Sequence, residues 1–281
     1  PDQSPQGRAA ALANESGIIS DGDWVLWLDA DEFLNIHVGS GLLCDLISHI
    51  EPAHGILIPW RIFGDGGNKC FPGRFISPQF QTASELDFAP NATIKTLFLN
   101  TEGKTRLGER ANHRPRLIDR SFYTALPFFS PNGQYLDTDF AIHARWLSGV
   151  EGAANFKISR AELSWEIAQI NHYMIRTQDI FTLKEVRGRG YRQVKNGIVA
   201  QRPRHTPEFF ERHNRNEEID TTILRHLAAT DFELERLMKT PSVAHAHCDT
   251  CNRTAARLAD LESTHNMSTQ NPIATIPPNA D

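Results

Sequence analysis

The sequence is poor in several features that would assign it to a class at once. Its four cysteines do not form a disulfide framework in a chain of 281 residues, so a reducing cytoplasm is the expected location. No apolar run approaches the roughly 20 residues that a membrane-spanning helix needs. Lys and Arg (29) are fewer than Asp and Glu (34), which indicates no nucleic-acid-binding surface. Anionic ligands, if bound, must therefore meet local basic clusters.

One apolar stretch, Trp-Val-Leu-Trp-Leu at 24–28, is followed at once by Asp29, Asp31 and Glu32. Such a run is typical of a strand buried on both faces, as in a parallel sheet, although a buried helix has the same pattern. The carboxylates that end the run favour the strand, because ligands of open α/β sheets bind beyond the carboxyl ends of strands. Asp29 and Asp31 would then hold a hard cation, Mg²⁺ or Mn²⁺. The alternative is an acidic loop that caps a helix.

The residues that follow alternate between helical and strand patterns. Apolar spacing predicts a helix over 42–50, which Pro52 ends, and the apolar run 55–60 predicts a second buried strand. Strand, helix and strand over about 35 residues fit a right-handed βαβ unit. The fold class is therefore α/β. Further short strands are predicted at 74–76 and 94–99, and a short strand or a turn is predicted at 168–173.

A basic segment begins near residue 176. It contains Arg176, Lys184, Arg187 and Arg189, around a pattern with helical spacing. In a chain with net charge −5 this is a concentration of positive charge, and guanidinium groups are well shaped to bind diphosphate oxygens. A solvated helix end, favoured by the macrodipole, accounts for the same residues equally well.

Helical patterns return from 205 to 240 and from 254 to 262, before a polar tail. Between the two helical segments, four side chains offer possible zinc ligands: His245, His247, Cys248 and Cys251. Zinc sites usually draw a second pair of ligands from a separate segment, and none is evident. An ordinary loop before a helix is the alternative.

The residues now in view resemble a family. The segment DWVLWLDADEFLN (23–35) is similar to the metal-binding DxD motif of bacterial family 2-like glycosyltransferases, which have a GT-A fold. The resemblance extends from about residue 23 to about residue 226. Its other segments follow in the same order: IPWRIF (58–63), RF (74–75), KTLF (95–98), HRPR (113–116), QINHY (169–173), KEVRGRG (184–190) and RHNRNEEID (212–220).

This resemblance implies both a fold and an activity. The fold is a GT-A-like α/β domain over 1–240, with a mixed, mostly parallel sheet flanked by helices and a helical C-terminal region. A helical appendage follows over 241–262 and a disordered tail over 263–281. The activity is transfer of a sugar from a nucleotide-diphosphate donor to a hydroxyl of a saccharide or another acceptor.

The resemblance also assigns residues. Asp29 and Asp31 match the DxD carboxylates that hold Mn²⁺ or Mg²⁺, and His172 is a candidate third ligand, although it could equally be a hydrogen-bonded structural residue. Cations would stabilise the charge on the departing nucleoside diphosphate. The candidate donor-binding residues are Arg61, Arg176, Lys184, Arg187 and Arg189.

An inverting transfer also needs a general base near the acceptor hydroxyl. His113 is the preferred candidate, and Glu32 is the other catalytic candidate because it adjoins the metal pair. The pattern does not exclude the remaining acidic residues, which are Glu85, Asp87, Asp137 and Asp139.

In one respect the chain departs from the family. Family members carry strands and a helix that grip the nucleotide base before the DxD strand, whereas 22 residues precede Asp23 here. Weak or absent donor binding is therefore expected of this polypeptide alone. Two alternatives stay open: a phosphoryl enzyme with an aspartate nucleophile, which Glu32-Phe33-Leu34 after the second aspartate disfavours, and a non-catalytic binding module.

Overall fold

A six-stranded mixed sheet forms the centre of the fold, as seen in a computed structural model. The structure describes residues 5–71, 75–108, 113–118, 127–137, 143, 157–187, 194–195, 198–199 and 205–269. The helices are α1 (Pro5–Glu15), α2 (Leu43–Ile50), α3 (Gln178–Arg187), α4 (Pro207–His213), α5 (Leu227–Met238) and α6 (Pro241–Thr269). Short 3-10 helices lie at Ala89–Ala92 and Thr222–His226.

The strands vary in length from two to eight residues. They are β1 (Trp24–Val25), β2 (Glu32–Ile36), β3 (Gly55–Ile62), β4 (Thr82–Ala83), β5 (Ile94–Leu99), β6 (Thr105–Arg106), β7 (Arg116–Leu117), β8 (Phe128–Phe129), β9 (Ala168–His172), β10 (Val194–Lys195), β11 (Ile198–Val199) and β12 (Glu218–Ile219).

The main sheet has the strand order β1-β5-β3-β9-β2, with β8 also beside β3. β3 is parallel to β9 and β8, whereas β1–β5, β3–β5 and β2–β9 are antiparallel. The α/β class with flanking helices is confirmed, but the prediction of a mostly parallel sheet is wrong. The physical reason is that β3 and β5 are buried on both faces while pairing antiparallel. Their unbroken apolar runs therefore indicate burial and not strand direction.

The stretch before the acidic residues also differs from its prediction. Ladder pairing with β5 ends after Trp24 and Val25, and all five apolar side chains of 24–28 are half-buried. The chain then crosses from β1 at one edge of the sheet to β2 at the other. The acidic residues lie on this crossing, directly before and at the start of β2. The prediction of a strand over 24–28 that is buried on both faces is therefore wrong.

Helices cover both faces of the sheet and leave one end of it to charged side chains. On one face Leu46 and Ile50 of α2 pack on the β3 and β9 side chains. On the other face Ala10 of α1 joins the cluster around β5. Phe181 of α3 and Phe210 of α4 pack together near the end of β3. This packing places α3 beside the acidic turn.

The C-terminal region is helical, as predicted. The last helix, α6, continues to Thr269 and so extends into the segment that the sequence predicts to be disordered. Residues 270–281 lie outside the described part of the chain. Among the described helices, none combines the length and the apolar character that crossing a membrane requires.

A buried ion pair fastens the segment after α4 to the sheet. Arg61 of β3 donates to Asp220 at 2.9 Å and also pairs with Glu218, and its guanidinium lies 4.2 Å from the centre of the Trp165 ring. Gln169 of β9 donates to the same Asp220 at 2.6 Å. The Asp220 side chain is 1% exposed, so its charge depends on these partners.

We expect Asp220→Ala to lower the free energy of unfolding by about 3 kcal/mol, because it removes the buried partner of Arg61. Glu218→Ala is the matched control, since the Glu218 side chain is 46% exposed. Its loss should cost less than about 1 kcal/mol. Urea denaturation of the three proteins measures both effects. Equal losses of unfolding free energy in the two variants would show that the Arg61–Asp220 ion pair does not stabilise the fold as we expect.

Candidate active site

Backbone hydrogen bonds hold the acidic turn against β9. The Asp31 carbonyl accepts from the Tyr173 amide at 2.9 Å, and the Asp29 carbonyl accepts from the Glu32 amide at 3.0 Å. The Asp29 amide in turn donates to Glu32 Oε2 at 2.9 Å. Three carboxylates are thereby kept within one short turn, and their shared charge requires nearby cations.

Lys95 of β5 supplies one of these cations. Its side chain is fully buried, with Nζ 3.1 Å from Glu32 Oε2 and 3.3 Å from Asp29 Oδ2. Gln6 of α1 donates to the other oxygen of Asp29 at 2.9 Å. Lys95 was not among the predicted site residues. Its position inside the apolar run Ile94–Leu99 was the available signal, because a lysine is almost never fully buried without a partner.

Lys184 of α3 supplies the second cation. Its Nζ lies 2.9 Å from Asp31 Oδ2 and 2.6 Å from the Met174 carbonyl oxygen. His172 Nε2 lies 3.7 Å from the other oxygen of Asp31. Burial alone would raise the pKa of Asp31, but Lys184, His172 and Arg176 together hold it below its usual range.

Positive charge is crowded around the start and end of α3. Burial is the main cause that lowers the pKa values of Arg176 and Lys184, and repulsion from Arg187 lowers both further. Asp31 opposes this repulsion on both groups. Arg176 has φ +58°, the left-handed region that few non-glycine residues adopt. Non-glycine residues with such a backbone conformation cluster at active sites and at sites that bind ligands.

Among the three carboxyls of the acidic turn, Glu32 is the one whose charge is least favoured. Burial raises its pKa to about 7, against the opposing effect of Lys95. Its Oε1 is buried, makes no hydrogen bond and lies 4.0 Å from His172 Nδ1. A carboxyl with such a pKa can carry a proton near neutral pH. Its side chain is 0% exposed, however, so an acceptor hydroxyl does not reach it in this conformation.

The predicted base His113 lies one aromatic ring away from the acidic turn. The Trp60 ring centroid is 4.3 Å from that of His172 and 5.7 Å from that of His113. The Nδ1 atom of His113 lies 2.7 Å from the Ile94 carbonyl oxygen. The structure thus brings His113 to the same end of the sheet, beside Trp60.

Most of the predicted site residues converge at this end of the sheet. The group consists of Asp29, Asp31, Glu32, His172, Arg176, Lys184 and Arg187. Arg61 is the exception: neighbouring side chains of a strand point to opposite faces, and its guanidinium is committed to Asp220 and Glu218. Its placement does not support a donor-binding role. Arg189 lies outside the described residues.

The donor atoms around Asp31 fit a divalent ion in part. Asp31 Oδ1 and His172 Nε2 are 3.7 Å apart, and two ligands each about 2.1 Å from one Mg²⁺ ion are at most about 4.2 Å apart. Asp29 does not join them, because Gln6 and Lys95 bind its oxygens. Within the described ranges, no group of three or more His, Cys, Asp or Glu side chains is placed to hold a metal ion. Shared metal binding by Asp29 and Asp31 stays a prediction.

The second metal hypothesis concerns α6, where the sequence allowed either a zinc site or a loop. The segment is helical. His247 Nε2 lies 3.7 Å from Cys251 Sγ, and His245 lies 3.5 Å from Asp249. The two residues of each pair are one helical turn apart. Among the residues that the structure describes, no third possible metal ligand joins either pair.

Comparisons of this chain with family models, with curated proteins and with solved structures found no match. The chemistry of the acidic turn therefore has to be inferred from its own side chains. The Asp31 carboxylate and the His172 imidazole are at a distance that suits a bound cation. The excess of cationic side chains around them suits a bound anion.

Glu32→Gln should change how stability depends on pH. The folded protein holds the Glu32 proton more tightly than the unfolded chain does, since burial raises the pKa of this carboxyl from its ordinary value of 4.5 to about 7. The wild-type protein therefore loses stability as the pH rises from about 4.5 to about 7, by about 3 kcal/mol for this group. The Gln variant lacks this loss.

Urea denaturation at pH 5 and pH 8 measures the effect. The exposed Glu235→Gln substitution is the control and should follow the wild-type profile. If Glu32→Gln and the wild-type protein lost stability in parallel between the two pH values, the Glu32 carboxyl would not have the raised pKa.

Proposed function

We propose that this protein is a glycosyltransferase that moves a sugar from a nucleotide-diphosphate donor to an acceptor hydroxyl. The observation that carries the proposal is the convergence of the Asp-Ala-Asp turn with Arg176, Lys184 and Arg187. These segments are distant in the chain, and the resemblance to GT-A enzymes links the same ones. The mixed α/β sheet with flanking helices supports such a domain.

The cations account for the chemistry at the donor. When the bond to the sugar breaks, negative charge develops on the nucleoside diphosphate that leaves. Arg176 and Lys184 are partly or largely buried, so their charges are less screened by solvent there than at an open surface. Asp31 orients Lys184 by accepting its hydrogen bond. Arg187, at the end of α3, adds charge at the rim.

A divalent ion, Mn²⁺ or Mg²⁺, would add to this stabilisation. Asp31 and His172 are the residues that would hold it, because their facing atoms are 3.7 Å apart. When bound, the ion supplies a Lewis acid for the diphosphate oxygens. Asp29 would contribute only after exchange with its present partners Gln6 and Lys95.

His113 remains our candidate for the general base. Its Nδ1 donates to the Ile94 carbonyl in the tautomer in which Nε2 carries the lone pair that a base needs. Trp60 lies between His113 and His172, and it offers an aromatic ring at the place where an acceptor sugar would approach. Glu32 serves instead as a buried proton carrier behind the turn. We also propose a cytoplasmic location, which the four free thiols support.

Removing the guanidinium of Arg176 should weaken diphosphate binding. We choose Arg176→Asn, because asparagine tolerates the left-handed backbone better than most residues and so limits the strain. A lost charge-assisted hydrogen bond is worth about 1.5–3 kcal/mol, so the dissociation constant for uridine diphosphate should rise about tenfold or more. Isothermal titration calorimetry measures it. Arg236→Asn, at an exposed arginine, is the control.

The outcomes of this titration, together with an assay of turnover, decide the proposal. A selective loss in Arg176→Asn supports it. Equal affinities of all three proteins, or no binding of pyrophosphate, would overturn it. Selective binding without turnover of any nucleotide sugar would identify a binding module that kept the fold and lost the chemistry.

A further inference from the structure

Asp31 has two different partners on its two oxygens. Oδ2 accepts from the Lys184 ammonium at 2.9 Å, and Oδ1 faces His172 Nε2 at 3.7 Å. The carboxylate and the ammonium are 22% and 14% exposed, so the pair is shielded but open to small ligands. The side on which an ion would bind therefore adjoins a positive charge that already neutralises the same carboxylate.

The charges of the whole cluster oppose a lone metal ion. Three carboxylates, Asp29, Asp31 and Glu32, are set against four cationic side chains: Lys95, Lys184, Arg176 and Arg187. Positive charge is thus in excess before any ion binds. A divalent ion alone would add to this excess, whereas a diphosphate would offset it.

Lys184 is able to exchange its partner. Besides Asp31 it binds the Met174 carbonyl at 2.6 Å, which holds the ammonium beside the turn when the carboxylate is given up. Its side chain has four rotatable bonds, and an ammonium forms hydrogen bonds in several directions. A diphosphate seated near Arg176 and Arg187 offers several anionic oxygens in place of one carboxylate oxygen.

We propose that Lys184 competes with the divalent ion for Asp31, so that a metal ion binds here only together with a diphosphate that draws the ammonium away. The two ligands then bind cooperatively: each removes the cost that the other would meet alone. This inference refines the metal and donor binding of the proposed function and rests on it. Its test uses binding alone and needs no sugar transfer.

The test compares the wild-type protein with Lys184→Met. Electron paramagnetic resonance of free Mn²⁺ measures binding of the metal alone, and calorimetry in the presence of a chelator measures binding of inorganic pyrophosphate alone. We expect the variant to bind Mn²⁺ at least about tenfold more tightly and pyrophosphate at least about tenfold more weakly. Calorimetry with preformed manganese pyrophosphate should show the wild-type protein preferring the complex to pyrophosphate by a factor of about ten.

The opposite signs separate competition from a structural defect. A variant that had lost its packing would bind both ligands more weakly. Lys184→Gln is the second variant: it lacks the charge but can still donate to the Met174 carbonyl, so it should repeat both shifts if Lys184→Met does not fold. Lys239→Met, at an exposed lysine, is the control.

Unchanged or weaker Mn²⁺ binding in both folded Lys184 variants would overturn the proposal. So would a wild-type protein that binds Mn²⁺ alone as tightly as the variants do. Opposite shifts without turnover of any nucleotide sugar would leave the competition standing and remove the transferase function, so the two failures can be told apart.

Discussion

Two buried lysines make the acidic turn possible. Three carboxylates within four residues would repel one another strongly in a poorly solvated position, and an interior site does not tolerate them without opposite charge. Lys95 reaches Asp29 and Glu32 from the sheet, and Lys184 reaches Asp31 from α3. The carboxylates in turn stabilise the lysines, because burial of an ammonium without a partner costs free energy just as burial of a carboxylate does. The turn, β5 and α3 are thus coupled electrostatically at one end of the sheet.

The opposite face of the sheet shows how this end is kept in place. In β9, His172 points toward the turn. Gln169 and Asn171 of the same strand point to the other face and belong to a buried polar layer there. Arg61 and Asp220 complete that layer and attach the chain after α4 to β9 and β3. The hydrogen bonds of Gln169 and Arg61 to Asp220 require β9 and β3 to lie in one alignment, which restricts the register of these strands. The position of His172 therefore depends on residues that do not touch the turn.

Much of this arrangement was accessible from the sequence, for reasons that differ between elements. The helix over 42–50 follows from apolar spacing, and the strand over 55–60 follows from an unbroken apolar run. Burial enforces both patterns directly. The resemblance to GT-A enzymes predicted that Asp31 and Lys184 belong to one site, and the two side chains do lie in contact. Strand direction was not accessible, because a strand buried on both faces has the same composition in either orientation, as β3 and β5 show.

The misplaced residues have a common cause. Arg61 was assigned to the donor by its charge, but its partners Glu218 and Asp220 are distant in the chain and their pairing depends on the tertiary fold. Lys95 was overlooked for the converse reason: its sequence neighbours are apolar, and the carboxylates that it neutralises lie across the sheet. Local pattern indicates which groups are charged, whereas the fold decides which charges meet.

We propose that the charges around Asp31 serve a departing nucleoside diphosphate. The most direct test of this proposal is the release of nucleoside diphosphate from a panel of nucleotide sugars, with Mn²⁺ present, by the wild-type protein and by Asp31→Asn. We expect slow release from at least one donor by the wild-type protein. Release should fall by about a hundredfold or more in the variant, the scale of removing a group that stabilises the transition state. Release at the same rate by both proteins would contradict it.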